Sequence, residues 1–159
     1  MNDDIQSQLN ELIETSKDGE QGFLKAARDT KTPELTSMFT AAAQRCAQGA
    51  RELQELVRGM GGDPERSGST AAALHRGWIN VKEAVTGRDD KAILEEVERG
   101  EDYAKAQYRK ALEQNLPANV KSVVERQYQG VISNHDKVKA LRDRYLVPTE
   151  GALPKAYER

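Results

Sequence analysis

Cysteine occurs once in the 159 residues, at Cys46, so no intrachain disulfide can staple the fold. Aromatic side chains make up only 5% of the chain, and Trp78 is the sole tryptophan. Long apolar runs are missing: no segment approaches the roughly 20 residues of a membrane span. The start, Met1-Asn2-Asp3-Asp4, carries no signal-peptide pattern, so a soluble cytoplasmic protein is expected. Charge of one sign is missing too. The 24 basic and 26 acidic residues leave a formal charge of −2 and are interspersed, which argues against a nucleic-acid binder with its basic face. Neither a P-loop lysine after the Gly/Ser-rich stretch 59–70 nor a G-x-S-x-G elbow is present, which argues against those phosphate and acyl-transfer chemistries.

Breakers are also few. Gly 12 and Pro 5 fall mostly between segments rich in Ala, Leu, Glu, Gln, Lys and Arg, all good helix formers. The chain reads as all-α. Helix 1 is expected over about 4–28, with acids first and Lys25 and Arg28 last, as the helix dipole prefers. Thr32 can cap a second helix, Pro33 suits its first position, and it runs to about 59. A shorter helix is expected over about 70–86, then long ones over about 90–115 and 117–145. Pro148, Gly151 and Pro154 make residues 147–159 a tail. The first and last pairs are antiparallel hairpins of helices roughly 37 Å long. The thirty residues between them are long enough for a crossover along a four-helix bundle spanning 1–146, the ferritin-like topology.

The stretches 14–23 (ETSKDGEQGF), 74–78 (LHRGW), 98–103 (ERGEDY) and 134–136 (NHD) resemble a bacterial family of four-helix-bundle proteins, domain-of-unknown-function family 2383, grouped with the ferritin-like superfamily. The resemblance extends over roughly residues 5–145. It implies a ferritin-like bundle and brings no established activity, so function has to be argued from residues.

Two Gly-Glu pairs supply the main clue. Glu20 follows Leu9, Leu12/Ile13 and Ser16 on helix 1, and Glu101 follows Ile93 and Val97 on the third long helix. Both continue the i, i+3/i+4, i+7 spacing of a core-facing stripe. A carboxylate there needs a partner, because an unpaired buried charge costs several kcal/mol. Counting from the hairpin turns puts Glu20, Glu101 and His135 near one level with Arg45 or Cys46, and Tyr103, Tyr108 and Gln127 can fill the remaining hydrogen bonds of that polar layer. Two readings compete. Glu20, Glu101 and His135 can hold Fe, Zn or Mn, as carboxylates and imidazole do between facing helices. Alternatively, these groups with Arg45 form a buried ion network that fixes bundle register. A di-iron oxidase would need Glu-x-x-His on the other two helices; Glu52-x-x-Glu55 and Glu125-x-x-Tyr128 are the nearest substitutes. Glu95, Glu96, Glu98 and Arg99 read as a solvated face, and Cys46 as packing.

His75, Arg76 and Trp78 are a second candidate, since Trp with Arg is typical of binding hot spots. The plainer alternative is that Trp78 anchors the crossover helix. The reading favoured by the sequence is a non-catalytic bundle acting as a homodimer or through another protein partner, with no assigned catalytic residue. Metal binding is the alternative.

Overall fold

The computed structural model describes residues 2–65 and 90–150. It is all-α, with four described helices: α1 Asn2–Asp29, α2 Pro33–Gly59, α3 Asp90–Leu112 and α4 Ala118–Glu150. No described helix is long and apolar enough to cross a membrane. The expected crossover helix over 70–86, with His75, Arg76 and Trp78, lies outside the described residues, as does 151–159. Where the sequence placed the end of the fourth helix near 145, α4 continues through Pro148 to Glu150. In a terminal turn, few following residues depend on the hydrogen bond that a proline cannot donate.

The local signals act much as their chemistry dictates, with one exception. Pro33 opens α2 from the extended Thr32, but the Thr32 hydroxyl makes no cap to its own helix. It donates instead to Asp90 Oδ2, while Thr30 Oγ1 donates to Asp90 Oδ1 at 2.7 Å. One carboxylate at the start of α3 therefore clasps the α1–α2 turn. At its other end α2 closes with a Schellman motif. Gly62 N–H reaches Val57 O at 3.0 Å and Gly61 N–H reaches Arg58 O at 2.9 Å. Gly61 sits at φ 81°, a conformation that only glycine adopts without strain.

The helices form two hairpins, α1 with α2 and α3 with α4, that pack on each other mainly through α1 and α3. Two apolar clusters fill the ends. Near the clasp lie Phe23, Ala27, Leu35, Phe39, Ile93, Val97 and Val138. At the far end lie Leu9, Leu12, Leu53, Val57, Tyr108, Ala111 and Val120. These memberships make α1 antiparallel to α3, so α2 ends at the opposite end of the bundle from the start of α3. Each fully buried leucine here contributes about 2 kcal/mol of transfer free energy. Between the two clusters the apolar packing is interrupted, and that waist positions everything below.

Candidate functional site

Small residues thin the waist. Gly19 of α1 faces Cys46 of α2 so closely that a Cβ at Gly19 would stand 3.0 Å from Cys46 Sγ. Gly49 of α2 lies against Gln127 of α4, and Gly100 and Gly130 line the same space. The result is a cavity of about 270 Å³ that opens between α2 and α4. Phe23, Ala42, Cys46, Ala104 and Val131 line it together with Glu101. Arg45, Gln48 and Arg126, all exposed, stand at its mouth.

Among the described residues Glu101 is the most deeply buried carboxyl, 4% exposed. Its Oε2 accepts from Asn134 Nδ2, and Asn134 Oδ1 accepts from Arg45 Nη2 at 2.7 Å. Burial pushes the Glu101 carboxyl up to about 8; the Asn134 bond and the Arg45 charge oppose that rise, and Asp102 and Glu98 reinforce it. At neutral pH the acid form therefore dominates, and Glu101 can hold or release a proton close to physiological pH. Its Oε1 is buried with no hydrogen-bond partner among the described residues. Elsewhere in the waist the polar groups satisfy one another. The Tyr108 hydroxyl donates to Gln127 Oε1 at 2.7 Å, and Gln127 Nε2 donates to Glu52 Oε1 at 2.8 Å. Burial also raises the Cys46 thiol to about 12, so Cys46 is a neutral packing group rather than a nucleophile.

His135 follows Asn134 directly and points elsewhere. It is 7% exposed, and its Nε2 stands 2.7 Å from Asp102 Oδ1 and 3.7 Å from Glu98 Oε2. Neither ring nitrogen has a hydrogen bond of acceptable alignment, despite the short distance to Asp102. Asp136 Oδ1 lies 3.6 Å from Nδ1, on the side where a metal-bound histidine commonly finds its carboxylate. Glu98 Oε1 accepts from Arg142 Nη1, which turns the other Glu98 oxygen toward the imidazole. Glu98, Asp102 and His135 each offer one ligand atom, all within 4.8 Å of one another.

The single layer of Glu20, Glu101 and His135 thus resolves differently. Glu101 enters the waist, His135 joins the α3–α4 groove with Glu98 and Asp102, and Glu20 is half-buried and does not line the cavity. Gly19 takes the inward position expected of Glu20 because α2 approaches α1 there more closely than a side chain allows. Arg45, Cys46, Tyr108 and Gln127 all border the waist cavity, Arg45 exposed at its mouth. Glu98 is the clearest correction: read as solvated, it is 9% exposed because α4 lays His135 and Arg142 across it. The waist does not fit a di-iron centre. Glu52 is bound to Arg126 and Gln127, Glu125 is exposed, and the cavity carries a guanidinium where that chemistry needs carboxylate and imidazole.

Fold and site together define an all-α helical bundle with a buried acid at its waist and a carboxylate–histidine cluster on one hairpin. A family profile described as Domain of unknown function (DUF2383) matches residues 4–114, more than half of the chain, and the chain belongs to that family. The match covers α1, α2 and α3 but not α4, and so not His135. A search of curated proteins found no match.

Proposed function

We propose that the chain is a non-catalytic, divalent-cation-binding bundle of ferritin-like arrangement, with Glu98, Asp102 and His135 as the ligands. The observation that carries this reading is the buried His135 Nε2, which lacks a hydrogen bond although two carboxylates flank it. Ligand atoms of a tetrahedral centre with bonds of ~2.0–2.1 Å stand roughly 3.3 Å apart. The separations of 2.7 and 3.7 Å from Nε2 bracket that value. Glu98 and Asp102 are four residues apart on α3, so one helix face presents both, and α4 supplies the imidazole. One nitrogen and two oxygens suit Zn²⁺, Mn²⁺ or Fe²⁺. Arg142 supports the reading by holding Glu98 through its other oxygen, although its charge also lowers affinity for a cation. The ferritin-like arrangement is supported by the positions of the α2 end and the α3 start at opposite ends of the bundle.

The test is calorimetric titration of the metal-free full chain with Zn²⁺ and Mn²⁺, with elemental analysis afterwards. About one ion per chain, lost in His135→Ala and in Asp102→Asn, is expected. No uptake by the wild type, or uptake that both variants retain, would reduce the cluster to an ion pair network between His135, Glu98, Asp102 and Arg142. Self-association or a protein partner is compatible with such a site and is tested separately, by light scattering of the full chain.

A further inference from the structure

We infer that the waist cavity is a binding site for a small, largely apolar molecule carrying one hydroxyl that pairs with Glu101. The inference is independent of the cation reading, since it uses the inner face of α3 rather than the groove with α4.

Size is the first support. At about 270 Å³ the cavity exceeds the roughly 150 Å³ of an apolar cavity known to admit benzene. Chemistry is the second. Phe23, Ala42, Ala104 and Val131 offer carbon to the space, while Tyr108, Gln127 and Asn134 are already engaged with each other's neighbours. A site of this kind rewards an apolar body and penalises several polar groups, which would find no free partner. Glu101 is the exception, because one of its carboxyl oxygens is bonded to Asn134 and the other has no partner. One unpartnered carboxyl oxygen in an otherwise apolar or internally paired wall calls for one hydroxyl, which can accept from the carboxyl as acid and donate to it as carboxylate. Access is the third. Arg45, Gln48 and Gly130 are exposed where the cavity opens between α2 and α4, so a ligand need not unfold a helix to enter.

The probes are phenol and toluene, which share a ring and differ in a hydroxyl against a methyl, titrated calorimetrically into the full chain and into two variants. Phenol is expected to bind the wild type at least about tenfold more tightly than toluene, and the preference is expected to vanish in Glu101→Leu. Gly130→Phe tests the cavity without touching the acid. A Cβ at Gly130 meets nothing within 4 Å, so the variant should fold, while its ring obstructs the opening and abolishes binding of both probes. Failure of phenol to bind the wild type would overturn the inference, as would binding that Gly130→Phe leaves intact. Equal affinity for phenol and toluene would overturn the pairing of a hydroxyl with Glu101.

Discussion

Glu101 and Asp102 are neighbours on α3, and Asn134 and His135 are neighbours on α4, yet the two pairs meet on different sides of the same hairpin. The first pair closes inward on the waist; the second sits in the outer groove beside Glu98 and Arg142. One residue along a helix turns a side chain by about 100°, and here that step separates two chemistries. Inside, the acid has an amide and a distant guanidinium for company, and burial drives it toward its neutral form. Outside, the Asp102 side chain is 59% exposed, and the imidazole between two carboxylates is offered more negative charge than it can use. Depth alone therefore does not make a metal ligand. A cation needs several acids converging on one point, and among the described residues it is the outer group that brings two carboxylates and an imidazole together.

The largest effect that separates the two pairs is the pH dependence of stability. Glu101 binds a proton more tightly folded, at about 8, than its ordinary value of 4.5. The folded state thus holds more protons through that window. Its contribution is fully present below pH 4.5 and is lost as pH rises toward 8, on the order of 5 kcal/mol in all. Urea titrations at pH 5, 7 and 9 should show that decline. Glu101→Gln should flatten it and leave the protein more stable than wild type at pH 9, whereas Asp102→Asn should leave the slope in place. Next comes metal affinity, in which the roles reverse. Asp102→Asn should weaken Zn²⁺ binding about 100-fold, or about 2.7 kcal/mol, while Glu101→Gln changes it by less than about threefold. If both variants weaken it equally, the two pairs are one site and the contrast collapses. The smallest effect concerns glycine inside and outside. Gly19→Ala presses a methyl against Cys46 at 3.0 Å and should destabilise by about 1 kcal/mol. Gly130→Ala, with open space around it, should stabilise by up to about 1 kcal/mol through helix propensity. Thermal denaturation of both variants reads the opposite signs.

Much of the architecture was legible because the breakers sit where helices stop. Pro33 and Gly59 bound α2 as expected, and Pro117 stands one residue before α4. Glu101 was legible as an inward acid from the stripe through Val97 and Tyr108. The errors come from treating i+3 and i+4 as interchangeable. Along α1 the buried positions Ile5, Leu9, Leu12, Ser16, Phe23 and Ala26 step by four and three through Gly19, but Ile13 and Ala27, seven residues on either side of Glu20, are buried as well, so the close approach of α2 decides between the two. Along α4 the same alternation through Val120, Val124, Gln127, Val131, Val138 and Leu141 selects Asn134 and turns His135 aside. Asn134, the residue that links Arg45 to Glu101, was missed for that reason. The outer cluster left a fainter trace. Glu98 and Asp102 are four apart, His135 and Arg142 seven apart, and only the pairing of α3 with α4 shows that these faces meet. No pattern within one helix reports which neighbour covers its flank.

An approximate seven-residue repeat has a hidden ambiguity. Slid past each other by one heptad, the two hairpins would present nearly the same apolar faces, and the end clusters alone would discriminate poorly between alignments. The clasp of Thr30 and Thr32 on Asp90 works at a single setting. It acts as an index mark between two graduated scales, selecting the alignment in which the acid of one hairpin arrives opposite the small residues Gly19 and Gly49 of the other.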